Sequence, residues 1–155
     1  MALPVVVPVG QKTADELRER MIAEIETLKV GVSNDAGAQY GPVVTAAHRD
    51  KIANYIQLGK DEGAELVVDG RGFKLQGYEK GFFIGPSLFD NVKTGMKTYH
   101  EEIFGPVLQI VRANTFEEAV SLPSKHQYGN GVAIFTRNGR VAREFASKVN
   151  VGMVG

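Results

Sequence analysis

The sequence predicts an α/β domain with a three-layer, largely parallel open sheet and helices on both faces. Short β-branched runs alternate along the chain with segments of helical periodicity, which is typical of such sheets. The first run, "VVVPV" at residues 5–9, shows no polar alternation. A strand of this kind is expected where helices cover both faces of a sheet.

The composition indicates one globular domain over residues 1–155, with 43% hydrophobic and 23% charged residues. Lys plus Arg equal Asp plus Glu at 18 each, so nucleic acid and membrane surfaces are not expected partners. Cysteine is absent from the sequence, which excludes a disulfide, a thiolate zinc site and a cysteine nucleophile within it. The histidines His48, His100 and His126 are too far apart for a local metal motif, so we expect no metal site.

The first half of the chain predicts two helices separated by a loop. Thr13 and Glu16 have the spacing of a capping box, and apolar residues follow at helical intervals. Residues 31–42, "GVSNDAGAQYGP", are rich in turn formers and predict a loop. A second helix is expected from Thr45 to Glu62, with Gly63 as its C-terminal cap.

The middle of the chain predicts three strands. They are "AELVVDG" at residues 64–70, "FFIGPSLFDNV" at 82–92 and "PVLQIVRA" at 106–113. Pro86 interrupts the second of these runs and predicts an edge or broken strand, because proline cannot donate to a sheet ladder. The glycines Gly70 and Gly72 do not have the spacing of a dinucleotide-binding loop.

The last third predicts two more helices, each followed or preceded by a strand. Thr115 and Glu118 form a second capping box, and Pro123 is expected to end that helix early. "GVAIFT" at residues 131–136 is the next predicted strand, and "VGMVG" at 151–155 the last. A final helix lies between them, with an apolar stripe at Val141, Ala142, Phe145, Ala146 and Val149.

The segment "YHEEIFGPV", residues 99–107, contains the candidate functional residues. Two adjacent carboxylates on an extended segment point to opposite sides, so Glu101 and Glu102 are not expected to act together as an acid and base pair. A carboxylate accepts hydrogen bonds with both oxygens, which suits the two hydroxyls of a ribose. Phe104 would lie on the same side as Glu102 if the segment is extended. A purely structural corner before the strand remains the alternative.

The sequence resembles the NAD(P)-dependent aldehyde dehydrogenase superfamily. "EEIFGPV" matches a motif of that family, and "DKIANYIQLGKDEGAELVVDG", "GFFIGPSLFDNV" and "NTFEEAV" match its setting in the same order. More narrowly, "ALPVVVPVG", "ADELRERMIAEIETLKVG" and "SLPSKHQYGNGVAIFTRNG" are similar to the methylmalonate-semialdehyde dehydrogenase branch, whose members are CoA-acylating.

The resemblance implies particular roles for residues of this sequence. Glu102 would bind the nicotinamide ribose of NAD, and Phe104 would pack beside that ribose and ring. Lys51 would approach the same ribose from the second helix. His48 stands where other members carry a contacting glutamine, which is a departure from the family pattern. The resemblance gives Glu101 no role.

The resemblance also implies a function for a longer parent enzyme. That enzyme would use NAD as cofactor and CoA as co-substrate. It would oxidise and decarboxylate methylmalonate or malonate semialdehyde to propionyl-CoA or acetyl-CoA through a cysteine thioester. It would be a homo-oligomer, a dimer or a tetramer, in bacterial cytoplasm or the mitochondrial matrix.

The same resemblance implies that the chain is most of a catalytic domain, without the NAD-binding and oligomerisation parts. The nucleophilic cysteine is expected immediately before Met1, so this chain alone should be inactive. Two alternatives remain. One is a hydrolytic aldehyde dehydrogenase, although hydrolytic members usually read "YGLAAGVFT" where this chain has "YGNGVAIFT". The other is a noncatalytic α/β domain that binds a nucleotide or a partner.

Overall fold

The structure is a computed structural model that describes residues 4–155 and alternates short strands with helices. The strands are β1 (Val5–Val6), β2 (Glu65–Val68), β3 (Ser87–Asp90), β4 (Val107–Ile110), β5 (Gly131–Val132) and β6 (Met153–Val154). The helices are α1 (Gln11–Thr27), α2 (Ala46–Asp61), α3 (Lys97–His100), α4 (Phe116–Lys125) and α5 (Gly139–Lys148). The predicted alternation is confirmed, although α3 has no counterpart in the sequence prediction.

The main sheet has four strands in the order β1-β4-β3-β2. The β1–β4 and β3–β4 pairs are parallel, with Val5 opposite Gln109 and Val6 opposite Ile110 in the first. Only the outer strand β2 runs antiparallel to its neighbour β3. Strands β5 and β6 form a separate parallel pair within the described part of the chain. The sheet is therefore mixed but mostly parallel, as the sequence predicts.

Helices cover both faces of the main sheet. Ile52 and Ile56 of α2 are fully buried in one cluster with Phe89 of β3. The next residue along β3, Asp90, points to the opposite face because side chains alternate along a strand. There it forms an ion pair with Arg18 of α1, at 3.5 Å. The predicted three-layer arrangement is confirmed.

Helix α2 begins and ends as its sequence predicts. The Thr45 side chain caps its first turn by accepting a hydrogen bond from the backbone N–H of His48, at 3.1 Å. Gly63 follows the helix with a φ of 95°, which a residue with a Cβ rarely adopts. These two signals set the ends of α2. The helix packs against the sheet, and its amino end lies beside the segment that precedes β4.

The predicted start of α1 is wrong by three residues, because the predicted N-cap is Thr13 and the observed one is Gly10. The helix begins at Gln11 with Gly10 as its N-cap, so Thr13 lies inside the helix and no side chain caps it. Gly10 has a φ of 87°, its N–H donates to Ala113 O at 2.9 Å, and its carbonyl accepts from Ala14 N at 3.0 Å. The backbone therefore turns directly from the sheet into the helix, which makes a side-chain cap unnecessary.

The two proline-based expectations have different outcomes. At Pro86 the predicted run is broken, because β3 begins only after the proline, but β3 is not an edge strand and lies in the sheet between β4 and β2. Pro123 does not end α4, which continues to Lys125. Pro123 lies in the last turn of the helix, so the hydrogen bond lost through its missing N–H is near the helix end. The hydroxyl of Ser124 donates to Val120 O at 2.9 Å.

Candidate cofactor site

The segment 101–106 connects α3 to β4 and packs on α2. Glu101 ends α3 with an extended backbone, at φ −103° and ψ 143°, and β4 begins at Val107. Ile103 is only 2% exposed and belongs to the core cluster that includes Ile52 of α2. The central side chain of the segment is thus fixed in the core.

One face of α2 contacts this segment at three levels. His48, Ile52 and Tyr55 are spaced four and three residues apart and therefore share one side of the helix. At the middle level the backbone comes very close, because a Cβ added to Gly105 would be 2.6 Å from Ile52 Cδ1. Glycine at this position is therefore a packing requirement.

Glu101 is held by Tyr55. The Tyr55 hydroxyl donates a hydrogen bond to the Glu101 carboxylate. This bond raises the pKa of Tyr55 above its ordinary value, with a smaller contribution from burial. Glu101, which has no role in the resemblance, thus attaches the segment to α2.

Glu102 differs from its neighbour. Its side chain is half-buried, and within residues 4–155 its carboxylate has no hydrogen-bond or ion-pair partner, whereas Glu101 has one. Both carboxylate oxygens are therefore available to accept hydrogen bonds from a ligand. This is the chemistry that a ribose diol requires, so the residues present are compatible with such a ligand.

Phe104 has an unusual conformation. Its φ is 59°, and its ring is 71% exposed. The left-handed region is unfavourable for a residue with a Cβ, at a cost of roughly 1–3 kcal/mol, and such residues are frequent at functional sites. The segment is therefore not extended throughout, and the argument that placed Phe104 beside Glu102 on an extended strand does not hold.

His48 contacts the backbone of Phe104. The two rings meet edge to face at 6.4 Å, and His48 Nε2 lies 2.7 Å from the Phe104 carbonyl oxygen. Because a carbonyl oxygen only accepts, the proton is on Nε2. His48, which departs from the family pattern, therefore contacts the "EEIFGPV" motif directly through Phe104.

Lys51 lies on the Glu101 side of the segment. It is exposed, with Nζ 5.6 Å from the centre of the Tyr55 ring. Together with Tyr55, Lys97 and Glu101 it borders a shallow groove of about 390 Å³. Glu102 and Phe104 do not line that groove. The structure thus brings Lys51 to the same surface region as the motif but into contact with Tyr55 rather than Glu102.

Other kinds of site have no support in the described residues. Within residues 4–155, no group of three or more acidic, histidine or cysteine side chains could hold a metal ion. In the same range, none of the helices combines the length and hydrophobicity that crossing a bilayer requires. The cysteine expected before Met1 lies outside the described residues.

A family model described as the aldehyde dehydrogenase family matches residues 4–155. The chain belongs to this family. Its α/β core and its candidate site are thus parts of an aldehyde dehydrogenase fold.

Individual relatives show which aldehyde dehydrogenases the chain is similar to. The chain is 52% identical to a malonate-semialdehyde dehydrogenase of Pseudomonas aeruginosa over 155 residues, which are 31% of that protein. It is 42% identical to the acylating, mitochondrial methylmalonate-semialdehyde/malonate-semialdehyde dehydrogenase of Rattus norvegicus, again over its whole length and 29% of that protein. The chain therefore spans less than a third of the length of these relatives.

A solved structure is similar to this chain over nearly its whole length. A crystal structure described as a methylmalonate-semialdehyde dehydrogenase from Sinorhizobium meliloti 1021, complexed with NAD, superposes with a TM-score of 0.96 at 55% identity. The match covers 98% of this chain and 31% of that one. The fold of this chain is therefore that of the corresponding part of an aldehyde dehydrogenase.

The sequence did not reveal how α2 contacts the motif. It predicted Glu102, Phe104 and Lys51 as site residues and left Glu101 and Tyr55 without a role. The one available signal was the spacing of His48, Ile52 and Tyr55 on one helical face. That spacing indicates a buried face but does not say which segment covers it.

Proposed function

We propose that this chain forms most of the catalytic domain of an NAD-dependent, CoA-acylating methylmalonate- or malonate-semialdehyde dehydrogenase. The observation that carries the proposal is the presentation of Glu102, a half-buried carboxylate without a protein partner within residues 4–155, next to an exposed Phe104. The similarity to named semialdehyde dehydrogenases over the whole chain supports the substrate class.

In this proposal the chain supplies binding and orientation rather than proton transfer. The chemistry that bound NAD would supply is acceptance of a hydride from the substrate's carbonyl carbon. The two oxygens of Glu102 would accept hydrogen bonds from the nicotinamide ribose, and Phe104 would pack against that ribose and ring. Lys51, whose Nζ lies 5.6 Å from the centre of the Tyr55 ring, would approach the same ribose.

The remaining parts of the proposal concern the longer enzyme. Its nucleophile would be a cysteine outside this sequence, because the sequence contains none. The chain by itself would then produce no NADH. CoA as acceptor, a homo-oligomeric state and a location in bacterial cytoplasm or the mitochondrial matrix belong to the same proposal, and the relatives include a bacterial and a mitochondrial enzyme.

The test compares two neighbouring substitutions in the intact enzyme. Glu102→Gln replaces one acceptor oxygen and should lower kcat by about tenfold or more, because cofactor misplacement is costly. Glu101→Gln keeps an acceptor for the Tyr55 hydroxyl and should change kcat little. Steady-state kinetics with NAD and malonate semialdehyde provide the measurement. Equal effects of the two substitutions would contradict the assignment of the ribose to Glu102.

A second assay separates acylating from hydrolytic chemistry. The same enzyme should require CoA for turnover and should form an acyl-CoA product. Turnover that is unaffected by omission of CoA would reject the acylating part of the proposal while leaving the dehydrogenase part in place.

A further inference from the structure

We propose that His48 and Tyr55 of α2 act as an anchor pair that positions the segment 101–104 for the cofactor. This inference rests on the function proposed above. The anchor pair attaches the segment on both sides of Glu102: Tyr55 through the side chain of Glu101, and His48 through the carbonyl of Phe104. Neither residue would touch the reacting atoms, so both are positioning residues.

The first reason is the conformation of Phe104. A φ of 59° is unfavourable for phenylalanine and persists only where surrounding contacts fix it. The hydrogen bond from His48 Nε2 to the Phe104 carbonyl, at 2.7 Å, fixes the peptide unit that follows this φ. With the Phe104 ring 71% exposed, burial of the ring does not hold the turn.

The second reason is the rigidity of the donor. His48 lies in the first turn of α2, and its own backbone N–H is held by the Thr45 side chain at 3.1 Å. Seven residues along the same helical face, Tyr55 donates to Glu101. Both donors therefore belong to one rigid element, and their separation fixes the path of the backbone between Glu101 and Phe104.

The third reason is that the anchors leave Glu102 available. The Tyr55 hydroxyl is engaged by Glu101 and the His48 Nε2–H by a backbone carbonyl, so neither competes for the Glu102 carboxylate. The buried Ile103, at 2% exposure, adds a third fixed point between the two anchors. The Glu102 carboxylate is thereby held in place, while its two oxygens accept no hydrogen bond from residues 4–155 and remain available to a ribose.

The experiment uses the intact enzyme and removes each donor separately. His48→Leu and Tyr55→Phe delete the hydrogen bonds while keeping side chains of similar size. His48→Gln restores an N–H that can reach a carbonyl, and Tyr78→Phe is the matched control for Tyr55→Phe, because Tyr78 is exposed and its hydroxyl makes no hydrogen bond within residues 4–155. Hydrogen–deuterium exchange of the peptide containing residues 101–106 is measured beside kcat and KM.

The inference predicts faster exchange of this peptide in His48→Leu and Tyr55→Phe, with unchanged exchange in Tyr78→Phe. It also predicts a kcat lower by between about tenfold and a hundredfold in His48→Leu, a nearly unchanged KM for the semialdehyde, and recovery in His48→Gln. Unchanged exchange, unchanged kcat, or a His48→Gln variant as impaired as His48→Leu would each overturn the inference.

The experiments distinguish a failure of the anchor pair from a failure of the Glu102 assignment. If Glu102→Gln lowers kcat while the anchor variants do not, the cofactor assignment stands and the anchor pair is rejected. If Glu102→Gln has no effect, the assignment of the ribose to Glu102 fails, and the exchange measurement still decides whether His48 and Tyr55 hold the segment.

Discussion

At the scale of single residues, the candidate site depends on a close approach between Gly105 and Ile52. A Cβ at position 105 would meet three atoms of the Ile52 side chain, at 2.6, 2.8 and 3.1 Å. Ile52 is fully buried in the core cluster, so its side chain has no free space into which to move. The position of the motif and the packing of α2 are thus coupled through one contact.

Gly105→Ala should therefore destabilise the protein by about 1–3 kcal/mol through overpacking. It should also displace the neighbouring Phe104 and lower NAD-dependent turnover. Gly95→Ala is the matched control, because a Cβ at Gly95 would have no atom within 4 Å. Urea unfolding of both variants measures the difference. Equal stabilities of Gly105→Ala and Gly95→Ala would show that the Ile52 contact is not limiting.

Only part of the site could be predicted at this scale. Side-chain alternation along an extended segment correctly separated Glu101 from Glu102 as residues with different surroundings. The hydrogen bond between His48 and Phe104 joins residues 56 positions apart, which no local pattern encodes. The left-handed φ of Phe104 was also unpredictable, because local preferences disfavour it and tertiary contacts decide it.

At the scale of secondary-structure elements, helix starts depend on how the chain enters them. Thr115 caps α4 by accepting from Glu118 N at 3.1 Å, and the Glu118 carboxylate accepts from the backbone N–H of Asn114 at 2.8 Å. Thr13 has the same sequence context, but Gly10 already begins α1 through its backbone. A capping box in the sequence thus predicted one of the two helix starts correctly.

This difference leads to a paired prediction. Thr115→Ala should reduce the free energy of unfolding by about 1 kcal/mol, because the Glu118 N–H loses its acceptor. Thr13→Ala should be close to neutral, because Thr13 lies inside α1, where alanine is a favourable residue. Urea unfolding monitored by circular dichroism compares the two. A loss in Thr13→Ala as large as that in Thr115→Ala would contradict the described start of α1.

Strand prediction failed where the pairing partner decides the outcome. Pro86 suggested an edge or a broken strand; the run is broken at the proline, but β3 is an inner strand because the proline stands just before the ladder begins. Of the predicted strand at residues 131–136, Gly131 and Val132 pair with β6, and the Ile134 N–H donates to Gly155 O at 3.0 Å. The sequence of one strand does not specify which neighbour it pairs with.

At the scale of the whole molecule, a charge network joins α1 to the sheet. Asp90 at the end of β3 is fully buried and accepts two hydrogen bonds from Arg112, at 3.0 and 2.6 Å. Arg112 also donates to Asp15 of α1 at 2.7 Å, and Arg18 of the same helix pairs with Asp90. The alternation of strand-like and helical segments predicted a largely parallel sheet between helices, but not which charges connect the layers.

The network predicts a pH dependence of stability. Burial on its own would raise the pKa of Asp90, but hydrogen bonds from Arg112 and the Asn91 N–H, with the nearby charges of Arg112 and Arg18, lower it overall. A carboxylate with a lowered pKa in the folded state stabilises the protein fully above its unfolded pKa of about 3.9. That contribution is lost as the pH falls through the lower, folded value.

Asp90→Asn should therefore destabilise the protein by about 3 kcal/mol at pH 7, since it leaves Arg112 without its buried partner. Asp15→Asn, at the half-exposed end of the network, should cost less than about 1 kcal/mol. Urea unfolding across pH 7 to pH 2 should show the wild-type advantage over Asp90→Asn shrinking below about pH 4, where Asp90 of the unfolded chain begins to protonate while the folded carboxylate is still charged. A gap that stays constant over this range would mean that shape rather than charge at Asp90 joins α1 to the sheet.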